Sequence, residues 1–273
     1  MAAPDAPSRR AASGLRLVKN NARRRSPEAM AGLAKGLAIV EAFGSGRMQL
    51  TVADAARAAG LTRASARRCL LTLTALGYLD HDGKLFRPLP RMLRLGLAYL
   101  GAAPLPQVAQ PILESLRDRL GESISVAILQ DDESVFVARA MAARIVSTGV
   151  NVGAHLPAYC SATGRVLLGS LSDEALRAYL RRVRLVSHTP KTLTKAAAIR
   201  AAVTTARAQG FAISDEELEL GMRSMAVPVR NAGGATSAAL SLSVSSARIA
   251  VDTMVRDFLP ALGEAAATLG KGL

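Results

Sequence analysis

Apolar positions along the chain change period several times, and each change marks an element. In AGLAKGLAIVEAF (31–43), Leu33, Leu37, Val40 and Phe43 recur at helical spacing, and GSG follows as a breaker. TVADAARAAG begins with Thr51 three residues before Asp54, a capping-box spacing, and Gly60 supplies a left-handed C-terminal residue. Val52, Ala55, Ala56 and Ala59 make one face of that second helix. Thr62 then caps a third helix running to about Leu76. Ala66, Cys69, Leu70, Leu73 and Leu76 form its apolar face, while Ala64, Arg67, Arg68 and Leu71 project on the other side. After Gly77 the period drops to that of a strand. YLDH and KLFR read as two short strands joined at Asp82-Gly83, a dipeptide suited to a primed hairpin turn. Helix, capped helix, glycine turn, helix and hairpin together spell a winged helix-turn-helix.

Beyond this the pattern is mixed. PRMLRLGLAYLGA reads as a connecting helix broken at Pro104-Leu105-Pro106, and VAQPILESLRDRLG as an amphipathic helix. SISVAILQ and SVFVARA are strands around the turn DDE, with RIVSTGVNVG as a third strand. SATGRVLLGSL, SDEALRAYLRRV and LTKAAAIRAAVTTARAQG read as helices. GFAISD, RSMAVPVR and TSAALSLSV read as strands, the last two joined by NAGG, and a final helix covers roughly 247–268. Strands and helices do not alternate as βαβ units, so the fold class is α+β with a mostly antiparallel sheet. The expected organisation is a disordered basic tail over 1–28, a winged helix-turn-helix over 29–90, a linker helix over 91–106 and a second domain over 107–273. The Arg-rich, acid-poor tail also has the look of a transit peptide, and Met30 is an alternative start.

Charge sharpens this division. The chain of 273 residues carries a formal net charge of +14, but residues 1–100 hold 17 Lys/Arg against 6 Asp/Glu, and residues 101–273 hold 18 against 15. A basic first third joined to a nearly neutral remainder implies that one part meets a polyanion. Two cysteines and three histidines are too few for a zinc cluster or a disulfide framework, so no metal or cofactor is expected and the compartment is reducing. The longest apolar run, LGLAYLGAAPLP, is short and broken by prolines, which argues against a membrane span and for a cytoplasmic protein.

The third helix carries the DNA chemistry. Its first turns would meet base edges in the major groove of double-stranded DNA, where Arg67 or Arg68 could pair bidentately with guanine for about 1–3 kcal/mol of discrimination. Thr62, Arg63 and Ser65 are placed to hold phosphates, with Thr51 and Ala64 at the helix starts beside them. Lys84 and Arg87 on the hairpin would reach the neighbouring backbone or minor groove. In the second half, YCSATGR makes Ser161 a helix cap, with Ala162, Thr163 and Gly164 offering backbone N–H groups that favour an anion. Arg139, ending the strand VFVAR, could give a carboxylate a planar cation or sit in a structural ion pair. Ser241 and Ser243 share one strand face.

Both halves resemble the IclR family of bacterial transcriptional regulators. The matching phrases are GLAIVEAF, LTRASARRCLLTLTALGYL and FRPLPRMLRLGLAYL, then GESISVAIL, VFVARA, PAYCSATGRVLL, DEELELGMRSMAVPVR and ALSLSV, in collinear order from about residue 30. Within the family the chain looks most like regulators of aromatic-acid catabolism, those for protocatechuate/β-ketoadipate and p-hydroxybenzoate. The resemblance implies a homodimer or dimer of dimers on a pseudo-palindromic or repeated operator, and a GAF-like effector domain binding a small carboxylate. That carboxylate would be an aromatic acid or a ring-cleavage product; the competing reading is a short oxo-acid. Position by position, the resemblance implicates Ala162, Thr163, Ser214 or Asp215, Met222, Ser224, Ser241 and Ser243 in the effector pocket. DEELELG, rich in glutamate but without a nearby histidine, reads as a loop ordering the pocket or subunit contacts and not as a metal site. The competing enzyme reading makes Cys160 a thiolate at a helix N-terminus near His155, with catalysis set against a small cysteine buried in a pocket wall.

Overall fold

A computed structural model of the chain describes residues 28–43, 47–142 and 150–273. The tail expected over 1–28 lies, apart from Glu28, outside these residues, as does the GSG at 44–46. The chain divides into two compact units between Ala98 and Tyr99.

The first unit holds α1 (Ala31–Glu41), α2 (Val52–Ala59), α3 (Arg63–Ala75), β1 (Leu79–His81) and β2 (Phe86–Pro88). The capping box forms as its spacing predicts: Thr51 Oγ1 accepts from Asp54 N at 3.2 Å, and the Asp54 carboxylate takes the Thr51 backbone N–H at 3.4 Å and its hydroxyl at 2.7 Å. Gly60, at φ +65°, closes α2, and Thr62 Oγ1 caps α3 by accepting from Ser65 N. Ile39, Ala42, Phe43, Leu50, Ala55, Ala56, Ala66, Leu70, Leu79 and Phe86 form one small core.

Three expectations are corrected in this unit. Leu33 and Leu37 are 60% and 48% exposed, because Ile39, Ala42 and Phe43 lie on a different face of α1 and take the core. Leu76, the C-cap of α3, is 52% exposed for the same kind of reason: it stands beyond the helix's last buried turn. The hairpin turn does not centre on Asp82-Gly83. His81 pairs with Phe86, Asp82 N donates to Leu85 O at 3.2 Å, and Gly83, at φ +96°, and Lys84 turn the chain. Asp82 Oδ1 accepts from the Lys84 and Leu85 backbone N–H groups at 3.1 and 2.8 Å, so the aspartate closes the turn through its side chain.

A 3₁₀ turn (Pro90–Met92) leads into α4 (Leu93–Ala102), within which the two units meet. Pro104 begins α5 (Pro104–Leu120) and does not merely end α4; at a helix's first position its missing N–H costs nothing. Next come β3 (Ser123–Gln130), β4 (Glu133–Ala140), β5 (His155–Pro157), α6 (Ala162–Gly169), α7 (Asp173–Arg182), α8 (Ala196–Gln209), β6 (Ala212–Asp215), β7 (Met222–Arg230) and β8 (Thr236–Ser245). The chain then passes through α9 (Val251–Thr253), a π-helical stretch Met254–Phe258, and α10 (Leu259–Lys271). Of the strand expected over 144–153, residues 143–149 fall outside the described set, and 150–153 are loop and turn. The strand that pairs with β4 is the later His155–Pro157.

All pairings in the six-stranded sheet β5-β4-β3-β8-β7-β6 are antiparallel. The sheet has two unlike faces. Ile124, Val126, Met225, Val227, Leu240, Leu242 and Val244 face α5 and α10, meeting Leu113, Leu116, Leu262 and Leu269 in the largest core. The alternate positions are hydroxylic or small. Ser123, Ser243, Ser224 and Ser214 stand in one cross-strand row, and Arg139, Ser125, Ser241, Ala226 and Ala212 in the next. This second face is covered by α6, every residue of which from Ala162 to Leu168 is buried.

Removing the α2 cap tests the small core's dependence on local signals. Thr51→Ala is expected to cost the N-terminal unit about 1 kcal/mol, read as a lowered midpoint in its denaturant unfolding.

Candidate functional site

On the N-terminal unit, α3 presents Arg63, Ala64, Arg67 and Arg68 to solvent while Ala66 and Leu70 anchor its other side. Neither Arg67 nor Arg68 has an acidic partner within 4.0 Å among the described residues, so both guanidinium forks are presented outward. Thr62 and Ser65 satisfy each other: the threonine hydroxyl takes the Ser65 backbone N–H and donates to Ser65 Oγ at 3.1 Å. Their first duty is therefore to cap α3. Thr51 likewise is bound to Asp54. On the hairpin, Lys84 is exposed, whereas Arg87 is held by Asp82 at 2.6 Å and by Gln49 Oε1 at 3.2 Å. Arg87 thus braces the wing, and Lys84 is its outward cation. Sequence reasoning passed over Arg91, whose guanidinium lies 5.2 Å above the Tyr78 ring, and exposed Arg47, whose field reaches Asp54.

In the C-terminal unit, the hydroxylic face of the sheet and the start of α6 line a small cavity of about 20 Å³. Its lining brings together Ser161, Ala162, Thr163, Met222, Ser224, Ser241 and Ser243, with Phe136, Val150, Leu156 and Leu218. Ser161 caps α6 by accepting from Gly164 N at 3.2 Å and donates to Pro157 O at 3.0 Å. The amides of Ala162 and Thr163, in the first turn, have no intrahelical acceptor and carry the positive end of the helix dipole. Gly164 allows the helix to sit this close: a Cβ there would stand 2.3 Å from both Cα and O of Ala158. Thr163 Oγ1 accepts from Ser134 Oγ at 2.7 Å, in fully buried surroundings.

Three residues expected in the pocket stand elsewhere. Ser214 shares a row with Ser224, but its hydroxyl donates to Cys160 O at 2.8 Å. Asp215, one residue on, alternates to the opposite side and pairs with Arg223 at 2.6 Å. Arg139 is buried one strand beyond Ser125 and two from Ser241, with Nη1 3.2 Å from Ser125 Oγ, and desolvation lowers its pKa.

The acidic run DEE is gripped one residue at a time. Asp215 pairs with Arg223 of β7, Glu216 with Lys191, and Glu217 with Arg165 of α6. The last pair is bidentate, both contacts 2.6 Å, with the arginine 4% and the glutamate 7% exposed. Arg165 also donates to the Tyr159 and Ile213 carbonyls, and Glu217 accepts from Leu193 N at 3.2 Å. Glu216 adopts φ +57°, takes hydrogen bonds from Gly221 N and Ser246, and its carboxyl is pulled down to about 2, first by the Lys191 hydrogen bond. The segment so anchored delivers Leu218 and Met222 to the cavity. Glu216 and Glu217 are fully engaged, Glu219 is exposed, and no group of metal-ligating side chains occurs among the described residues.

Cys160 has the burial expected of a structural cysteine and not the setting that the competing thiolate reading needs. The side chain is fully buried, and burial, then the nearby Glu217 charge, pushes the thiol up to about 12. His155 meanwhile engages Glu133 at 3.0 Å on the edge strand. A thiol so protonated is not a nucleophile, and it packs in the core with Tyr159, Leu168 and Tyr179 and not in the cavity wall.

A winged helix with an outward arginine face, joined to a domain enclosing a small cavity lined by apolar side chains and serine hydroxyls, defines a ligand-responsive DNA-binding regulator. Comparison with known proteins agrees for both units: the IclR helix-turn-helix domain matches residues 32–83, and the bacterial transcriptional regulator IclR C-terminal domain matches residues 97–270. The chain belongs to the IclR family of bacterial transcriptional regulators. The Pca regulon regulatory protein of Pseudomonas putida is 41% identical over 237 residues, 86% of this chain and 81% of that protein. The p-hydroxybenzoate hydroxylase transcriptional activator of Acinetobacter baylyi is 38% identical over 243 residues, 87% and 90% of the two chains. Among solved structures, an IclR homolog from Microbacterium hydrocarbonoxydans complexed with 4-hydroxybenzoate aligns with a TM-score of 0.74 at 28% identity, covering 89% of this chain and 99% of the other.

Two outcomes test the anchoring of the cavity wall. Arg165→Met is expected to destabilise the C-terminal unit by about 3–5 kcal/mol, because it strands the buried Glu217 charge; the double change Arg165→Met/Glu217→Leu should recover most of that loss in denaturant unfolding. Because the Glu216 carboxyl is depressed in the folded chain, its contribution is complete above the ordinary carboxylate range and is lost as pH falls from about 4 towards 2. Glu216→Gln should therefore flatten the acid limb of a plot of unfolding midpoint against pH.

Proposed function

We propose that the C-terminal unit binds a small aromatic carboxylic acid and that its occupancy changes the affinity of the N-terminal unit for operator DNA. The cavity itself carries this reading. It pairs the amide end of α6, which favours an anion, with a row of serine hydroxyls and a wall of Phe136, Leu156 and Leu218. A ring bearing a carboxylate and a hydroxyl matches those three kinds of surface. Named relatives controlling the Pca regulon and p-hydroxybenzoate hydroxylase, and a related structure holding 4-hydroxybenzoate, support the same ligand class.

On DNA, Arg67 and Arg68 read base edges, while Arg63 and Lys84 hold phosphates. Thr51, Thr62 and Ser65 keep the two helices in register for that contact. The working form is a homodimer in the cytoplasm. Met30, Leu33 and Leu37 at the start of the N-terminal unit, and Leu93 and Leu97 on α4, are exposed apolar side chains that a second copy would cover. An effector acts by binding unequally to two arrangements of such a dimer.

The test is fluorescence anisotropy of the purified protein on DNA upstream of its own gene, over a salt series. Protocatechuate, p-hydroxybenzoate, β-ketoadipate and pyruvate are each added in turn. Tight, salt-steep binding altered by an aromatic acid is expected, and Arg67→Gln or Arg68→Gln should weaken specific binding about 5- to 150-fold, the loss of one bidentate base contact. Specific binding that no acid moves, or that only pyruvate moves, would overturn the effector assignment and leave the DNA assignment standing.

A further inference from the structure

The near-neutral balance of residues 101–273 conceals a segregated charge. Residues 171–210 carry eight Lys/Arg against Asp173 and Glu174, leaving the rest of that stretch with ten against thirteen. These forty residues are chiefly α7 and α8. Leu176 and Tyr179 of α7 pack with Ile199 and Val203 of α8 in one core with Tyr159, Cys160 and Leu168. The outward faces are left to cations: Arg177 and Arg181 on α7, Arg200 and Arg207 on α8, all exposed.

Asp173 ties the two helices side by side. Arg207 donates to its carboxylate at 2.9 Å and to the Leu171 and Gly169 carbonyls at 2.9 and 2.8 Å. That carboxyl is held below its usual range first by the Arg207 hydrogen bond, with smaller contributions from the fields of Arg200 and Arg177. Arg182 is occupied by Asp132, and Lys191 by Glu216. Arg177, Arg181, Arg184, Lys195 and Arg200 have no carboxylate within 4.0 Å among the described residues, and Glu174 is the acidic neighbour on the α7 face.

We propose that the α7–α8 surface is a second DNA seat, taking the sugar–phosphate backbone of duplex outside the bases met by α3. An acidic protein is the less fitting occupant. The exposed residues of α7 and α8 include no aromatic and no large aliphatic side chain, the anchors that a protein interface draws on. The exposed residues beside the arginines of α8 include Ala197, Ala201, Thr204 and Ala208, short side chains over which a phosphate backbone can approach. Guanidinium forks match phosphate oxygens in pairs. DNA held by the winged helix of the same chain is also present at high effective concentration, so contacts too weak to bind alone add to affinity.

The full chain carrying Arg177→Gln, Arg181→Gln and Arg200→Gln is titrated with a random-sequence 60-bp duplex over a salt series, beside the unmodified chain. Each lost phosphate contact removes about 0.9 from the slope of log Kobs against log salt, so a slope shallower by about 2–3 is expected. The matching triple lysine variant, which keeps the charge, should keep most of the slope. An unchanged slope in the glutamine variant, with its thermal midpoint unchanged, overturns the proposal. So does a lysine variant that loses as much as the glutamine one. Transcription lost with DNA binding intact would also overturn it, assigning the surface to a protein partner.

Discussion

The cavity depends on one buried ion pair. Arg165 lies in the second turn of a helix with no exposed face from Ala162 to Leu168, and Glu217 lies 52 residues later in a loop. Neither charge is tolerable alone in that environment. Joined by two 2.6 Å contacts, and with further donors and acceptors from backbone carbonyls and the Leu193 amide, they hold the start of α6 and the segment carrying Leu218 and Met222 at a fixed separation. Those are two of the cavity's walls. The third is the sheet.

The sheet contributes because its two faces have different jobs. Leucine, isoleucine and valine go to α5 and α10, where their burial drives folding of the unit. Serine and alanine go to α6, where large side chains would leave neither room for the helix nor space beside it. Gly164 follows the same logic on the helix side, where its bare Cα permits contact with the Ala158 backbone. A cavity then remains where the serine rows pass the first turn of α6. Strain is concentrated at the same place: Glu216, one of the few non-glycine residues with positive φ, is held by Lys191, Ser246 and the Gly221 amide.

Much of this was legible beforehand. The capping box at Thr51, the cap at Thr62 and the left-handed Gly60 are short-range signals whose partners lie within three or four residues, and they form as written. The alternation in SLSVS announced a strand with one hydroxylic face, and Ser241 and Ser243, which the family resemblance implicates in the effector pocket, stand on that face and line the cavity. What failed were judgements of which apolar residue faces what. Leu33 and Leu37 fit a helical stripe as well as Ile39 and Phe43 do, and only the packing of α2 and α3 decides between them. The hairpin turn was misread because Asp82 acts through its side chain, an option that the dipeptide Asp-Gly does not exclude.

The chemistry of single residues divides along the same line. From the sequence by itself come the winged helix, its outward arginines, the antiparallel α+β second unit and the resemblance to a regulator family, because each rests on local periodicity or on collinear phrases. The tertiary structure alone decided that Cys160 is an inert thiol, that Arg87 braces the wing, that Ser214 and Asp215 turn to other partners, and that three consecutive acids meet cations from three different elements. The physical reason is common to all four. Burial and the position of a charge's nearest opposite are set by how segments fold back on one another, over a hairpin for Arg87 and Asp82 and across 52 residues for Arg165 and Glu217, and no periodicity along the chain carries that information.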